Sequence, residues 1–284
     1  MSDLVALLPR RAALAFGRSL GRFFGDFDRR HLGLAAQNLR RAFPAWNDSR
    51  VRRTASEVYG HFGAVLVDVL WLQGRSREEV LSLVEVAGRE HVDAAMAAGR
   101  GAIMASCHLG SWDVHGLAHG YLFGPIGVVA RPIDNPELDE RLCAFRAAGG
   151  NTVIYKVRAL AQVLRLLRAG RGVAMLLDQN VGAEDGVFVS FFGRPAATTT
   201  VAAALAVKTG CRLVPSYSEL LPDGRYRLCY ERALSPDPEA DKEAETFRIT
   251  QELARRTEDW VRRRPEQWLW MHRRWKTQPD GEEA

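Results

Sequence analysis

Gly101-Ala-Ile-Met-Ala-Ser-Cys-His-Leu-Gly-Ser-Trp-Asp113 is the stretch whose reading decides the fold. Ala102 to Cys107 has the length and apolar character of a short buried strand. His108 stands at its tip. Gly110 and Ser111 turn the chain, and an apolar-periodic segment begins at Trp112. Ser111 is a favourable helix N-cap, and Asp113 falls in the first helical turn, where a carboxylate is favoured. The order is strand, histidine, tight turn, aspartate, helix. It predicts that Asp113 folds back towards the His108 ring. A carboxylate on one ring nitrogen fixes the tautomer and leaves the other nitrogen free to take a proton. With no serine beside it, such a pair suits a base that activates a hydroxyl on the substrate. The plainer reading of the spacing alone is a structural histidine before a turn.

Outward from this stretch the chain alternates between strands and helices. Helices are predicted over 88–99, 112–123, 136–149, 158–169 and 198–209. Strands are predicted over 126–130, 152–155, 172–177, 212–218 and 225–230, and a long charged helix over 239–263. Alternation from 101 to 218 predicts an α/β fold with a largely parallel sheet flanked by helices. The reactive crevice of such a sheet lies at the carboxyl ends of its strands. His108, Arg131 and Asp178 all stand at predicted strand ends, so the three are expected to converge there. Asp178 is read either as a second acid in the crevice or as a loop cap. Arg194, ahead of a helix start at Thr198, is read as a phosphate contact or as part of a solvated turn.

Residues 1–25 read as a basic amphipathic arm. Leu4, Leu7, Leu8, Ala12, Phe16, Leu20, Phe23 and Phe24 can share an apolar face, and Arg10, Arg11, Arg18 and Arg22 supply cations. Such helices lie in the headgroup region of anionic membranes; the plainer alternative is an ordinary surface helix packed on the domain. Residues 50–73 form a further helix with a core-facing stripe. Neither N-terminal apolar run approaches the ~20 residues of a spanning helix, so peripheral or monotopic attachment is expected. The whole chain is expected to be one domain over 1–284, with a helical membrane-associating part over 1–73 and an α/β core over 88–276.

The 284 residues are 47% hydrophobic, with a formal net charge of +5. This balance favours an acidic partner: nucleic acid, anionic lipid, a phosphorylated substrate or an acidic carrier protein. Cys107, Cys143, Cys211 and Cys229 lie far apart with no CxxC pair, which argues against a disulfide framework or a zinc knuckle. Cys107 is read as a buried structural thiol. His115 and His119 have the i, i+4 spacing of a zinc pair, but glycine occupies position 116 where a metalloprotease helix carries glutamate, so they read as surface or packing histidines. No metal and no cofactor are expected. Trp268, Trp270 and Trp275, interleaved with Arg273, Arg274 and Lys276, suit a phospholipid interface or a phosphorylated sugar. A non-enzymatic nucleic-acid or membrane binder is the rival class, but no helix-turn-helix, RNP or zinc-finger pattern is present. A thioester hydrolase is a third reading.

The block His108-Leu-Gly-Ser-Trp-Asp113 resembles the first acyltransferase block of glycerolipid and lipid A acyltransferases. Asn38-Leu-Arg-Arg-Ala-Phe-Pro44, Ala130-Arg-Pro-Ile-Asp-Asn-Pro136, Leu177-Asp-Gln179, Phe191-Phe-Gly-Arg-Pro-Ala196 and Arg264-Pro-Glu-Gln-Trp-Leu-Trp-Met-His-Arg-Arg-Trp-Lys276 are similar, in order, to the lipid A biosynthesis lauroyl/myristoyl acyltransferase family. The resemblance implies a membrane-surface enzyme on the cytoplasmic face of the bacterial inner membrane. It would move a fatty acyl chain from acyl carrier protein or acyl-CoA to a glycolipid hydroxyl. His108 would be the base, Asp113 its orienter, and Arg131 a phosphate contact or oxyanion stabiliser. Backbone N–H groups near Gly110 are the alternative oxyanion donors. Phosphatidylinositol mannoside acyltransferases share these blocks, so that acceptor is the alternative.

Overall fold

The computed structural model describes residues 6–155 and 159–279. Strand β2 (Ala102–Ser106) is buried along its whole length and lies at the centre of a seven-stranded sheet. The other strands are β1 (Val84–Ala87), β3 (Gly127–Ala130), β4 (Thr152–Tyr155), β5 (Gly172–Leu176), β8 (Arg212–Leu220) and β9 (Tyr226–Tyr230). Their order is β1-β9-β8-β2-β5-β3-β4. Every neighbouring pair is parallel except β8 and β9, which are antiparallel. The expected α/β architecture is therefore present. Strands covered by helices on both faces need no polar alternation, which is why Ala102 to Ala105 of β2 are all apolar.

The chain carries α4 (Arg77–Ser82), α5 (Arg89–Ala97), α6 (Trp112–Phe123), α7 (Pro136–Ala147), α8 (Ala159–Arg168), α9 (Val201–Thr209) and α10 (Lys242–Arg263) around this sheet. Ser111 caps α6 as expected, accepting from the Val114 amide. Arg158, placed in a helix by its pattern, lies outside the described residues.

Three strands, β1 and both strands of a hairpin, were silent in the sequence pattern. β1 has only four residues, at the sheet edge. The chain after β6 (Gly186–Phe191) forms a second hairpin strand, β7 (Arg194–Thr199), instead of entering a helix near Thr198. The sequence of β7, Arg-Pro-Ala-Ala-Thr-Thr, lacks the bulky alternation that marks a strand, and its proline suits a two-stranded ribbon edge. The following helix begins at Val201.

The N-terminal part is helical: α1 (Arg10–Phe27), α2 (Arg29–Ala42) and α3 (Asp48–Leu72). The face that packs is a glycine face, which the apolar pattern did not mark. Gly17, Gly21 and Gly25 of α1 are buried against α3. A Cβ at Gly21 would lie 2.1 Å from the Tyr59 carbonyl oxygen, and one at Gly63 would lie 2.3 Å from that of Gly17. Small residues at this spacing let two helix backbones approach closely. The aromatic side is left outside: Phe16, Phe23, Phe24 and Phe27 are exposed, Phe27 by 71%. Leu4 lies outside the described residues. Arg10 fixes the start of α1 by a two-pronged bond to buried Asp68, which also accepts from the Tyr226 hydroxyl. Among the described residues no helix is long and apolar enough to cross a membrane.

The C-terminal aromatics are core residues, not the interface expected of them. Trp268, Trp270 and Trp275 are buried with Phe191, Phe192 and Trp260. Arg274 is buried beside them, while Arg273 and Lys276 face outward. The four cysteines are free thiols. Burial, with Asp178 adding to it, pushes the Cys107 thiol well above its ordinary range.

Candidate active site

Parallel pairing of β2 with β5 sets Ser106 opposite Leu176, and the Leu177 amide donates to the Ser106 carbonyl. Two residues further along each strand stand His108 and Asp178, side by side at the carboxyl edge. The ring Nδ1 of His108 lies 2.7 Å from Asp178 Oδ1. The His108 amide donates to Oδ2 of the same carboxylate at 2.8 Å, and the Trp268 indole donates to that oxygen at 2.7 Å. Asp178 is therefore clamped by three donors. An ionised carboxylate only accepts, so Nδ1 carries the ring proton and Nε2 keeps its lone pair. The His108 side chain is 15% exposed and that of Asp178 3%. The Trp112 ring meets the His108 ring edge-on at 4.8 Å between centroids.

Burial works to raise the pKa of Asp178, but it is outweighed. The charge and ring hydrogen bond of His108, the nearby His272 and the His108 amide hold the carboxyl well below the usual range. A buried anion needs such compensation. Arg274 contributes from below, donating to the Ala197 carbonyl (2.7 Å) and to the Thr198 hydroxyl. Burial pulls its guanidinium down to about 10, and Asp178 resists that pull. A cavity of about 20 Å³ separates these groups from Ala202, Ala203, Leu253 and Trp260, with room for about one water.

The turn after His108 is pinned from four directions. Gly110 has φ +67°, and a Cβ there would lie 2.0 Å from the Ser218 carbonyl oxygen. Its amide donates to the Gln267 carbonyl, and its own carbonyl accepts from His61 Nε2 at 3.2 Å. The Ser111 amide donates to the Ser218 hydroxyl, and the His108 carbonyl accepts from the Leu269 amide. Burial lowers His61 to about 4, which keeps the ring neutral for this task. The amides of His108, Gly110 and Ser111 are thus committed inside the protein. None of these three is therefore free to serve an oxyanion.

The expected site residues separate. His108 and Asp178 meet. Asp113 does not turn back to His108: it accepts from Arg146 Nε at 2.7 Å, joining the start of α6 to α7, with both side chains 13% exposed. The first turn of α6 runs away from the β2 tip, so its carboxylate reaches the neighbouring helix instead. Arg131 follows β3, which β5 separates from β2. Its side chain is 83% exposed, with Asp134 at 3.9 Å. Arg194 is exposed at the β6–β7 turn. His115 and His119 are buried packing histidines around Tyr230, whose hydroxyl lies 2.9 Å from His119 Nδ1. Burial lowers them to about 4 and about 3. Among the described residues no group of histidines, cysteines and carboxylates could hold a metal ion.

The sequence profile described as bacterial lipid A biosynthesis acyltransferase matches residues 1–277. A lipid A biosynthesis lauroyltransferase of Escherichia coli strain K12 is 28% identical over 282 residues, covering 98% of this chain and 90% of the relative. A phosphatidylinositol mannoside acyltransferase of Mycobacterium tuberculosis is 31% identical over 219 residues, covering 75% of this chain and 68% of the relative. A lipid A biosynthesis myristoyltransferase of Escherichia coli strain K12 is 23% identical over 279 residues, covering 98% and 85%.

Proposed function

Because the chain belongs to the bacterial lipid A biosynthesis acyltransferase family and is therefore an acyltransferase, we propose that it transfers a fatty acyl chain from an acyl thioester to a hydroxyl of a lipid A-type glycolipid, with His108 as base and Asp178 as its orienter. The observation that carries the residue assignment is the 2.7 Å contact between His108 Nδ1 and Asp178. It leaves Nε2 as the acceptor at the carboxyl edge of the central strand. The acceptor O–H bond breaks and its proton passes to Nε2. The oxygen adds to the thioester carbonyl, and the resulting tetrahedral intermediate collapses with cleavage of the C–S bond. The proton moves from Nε2 to the departing sulfur. Asp178 stabilises the imidazolium formed between these steps without itself taking a proton. Acyl carrier protein or acyl-CoA is the donor in this reading, and the enzyme works peripherally on the cytoplasmic face of the inner membrane.

A second acceptor is favoured by one specific observation, the 31% identity to the phosphatidylinositol mannoside acyltransferase. Purified enzyme given one thioester donor and each acceptor in turn decides between them by the mass of the acylated product. In the same assay His108→Ala is expected to lose ~10²–10⁴-fold in turnover, the usual contribution of a general base, while still unfolding cooperatively well above the assay temperature. Near wild-type transfer by this variant would remove His108 from the mechanism.

A further inference from the structure

The segment that closes the site has two sides. Trp268 and Arg274 point inward to Asp178 and Thr198. Arg273 and Lys276, on the same segment, face outward. There they meet Arg30 and Arg41 of α2 across a cleft of about 650 Å³, floored by Leu34, Met271 and Trp275. None of the four cations has a carboxylate within ion-pair distance among the described residues, whereas Arg255 and Arg262 on α10 are each held by a neighbouring carboxylate. The Trp275 indole N–H is buried with no acceptor among the described residues. The cleft and the catalytic pair are held in one frame by Asn38, buried on α2, whose amide donates to the Trp270 and His272 carbonyls at 2.8 Å each.

Four convergent, unneutralised cations around a concave apolar floor are a receptor for a compact anion. The shape speaks for a headgroup in a cleft and against the broad face of a folded acidic protein. The surroundings speak for a lipid: α1, whose exposed Phe16, Phe23, Phe24 and Phe27 form an unpartnered aromatic side, runs directly into the α2 wall at Asp28. We infer that this cleft binds the phosphate monoester of a membrane-lipid headgroup, and that it is the subsite by which the lipid acceptor is held beside His108. The second half of the inference rests on the acyltransferase reading; the first does not.

The test uses the full chain and an Arg41→Gln/Arg273→Gln variant. Binding is measured to phosphatidylcholine vesicles with or without phosphatidic acid, to glucose 1-phosphate in solution, and to acyl carrier protein. At about fivefold per cation near an anionic surface, the variant is expected to bind phosphatidic acid vesicles about 30-fold more weakly, and Arg41→Lys/Arg273→Lys to recover part of that. Neutral vesicles should not distinguish the proteins, and glucose 1-phosphate should bind far more weakly than the vesicles. Transfer is measured separately: the variant should raise KM for the glycolipid acceptor by a larger factor than it lowers kcat. His108→Ala should bind vesicles as the wild type does. Equal vesicle binding by variant and wild type overturns the inference and leaves acyl transfer untouched. Loss of carrier-protein binding in place of vesicle binding also overturns it. Cleft-dependent vesicle binding by a protein that transfers no acyl group overturns the acyltransferase reading and leaves the phosphate site standing.

Discussion

Two carboxylates flank His108, and their settings differ in kind. Asp113 is five residues away in sequence and bonds Arg146 at the interface of two surface helices. Asp178 is seventy residues away and lies 2.7 Å from the ring. The first is half a turn along a helix that leaves the strand tip. The second is the lateral neighbour of His108 in a parallel ladder. Asp113 has one cation and partial exposure; Asp178 has three donors, only 3% side-chain exposure and a buried arginine beneath it. In a parallel sheet, strand order decides which side chains share an edge, and short-range spacing does not.

The contrast breaks most visibly at Asp178. Asp178→Asn is expected to lower turnover by ~10²–10⁴-fold, because an amide can donate to Nδ1 and turn the wrong nitrogen to the substrate. Adding it to His108→Ala should cost little more, since the two act as a unit. Steady-state kinetics on the single and double variants read this directly.

Asp113→Asn should act chiefly on stability. It leaves the Arg146 guanidinium, whose Nη1 is already buried without a partner, short of its counter-ion. Denaturant unfolding should show a loss of about 1–3 kcal/mol, with a much smaller effect on turnover than Asp178→Asn. A fully stable Asp113→Asn enzyme as inactive as Asp178→Asn would dissolve the distinction and give Asp113 a direct part in the chemistry.

The smallest effect is in acid. The Asp178 carboxyl is held below its unfolded value of about 3.9. The unfolded chain therefore binds the extra proton, and the stability Asp178 contributes is complete above that value and lost as pH falls beneath it. Wild-type melting temperature should fall more steeply below pH ~4 than that of Asp178→Asn. Parallel curves for the two would mean that the carboxylate is not stabilised by its three donors.

What was legible in the sequence followed from local physics. The buried run at 102–107, the Ser111 cap and the alternation of strands with helices fixed the α/β architecture and placed His108 at a strand end. Arg131 and Asp178 were equally visible as strand-end groups, and nothing local could say that β5, and not β3, lies against β2. The inward face of α1 was not legible for a related reason. Hydrophobic periodicity ranks phenylalanine above glycine as a core residue, while close backbone approach selects glycine. The tryptophans near the C-terminus looked like interface anchors because adjacent cations accompany them; only the fold shows that their indoles fill the space under the site.

The glycine contact between α1 and α3 has a consequence for where this protein can work. Most helix pairs in water are held by the release of water from apolar side chains, a force that vanishes once the surroundings are themselves oily. The pair built on Gly17, Gly21 and Gly63 is joined by direct atomic contact of two backbones, which is as favourable among acyl chains as in solution. The helix can settle its phenylalanines into a bilayer without loosening its grip on the rest of the molecule.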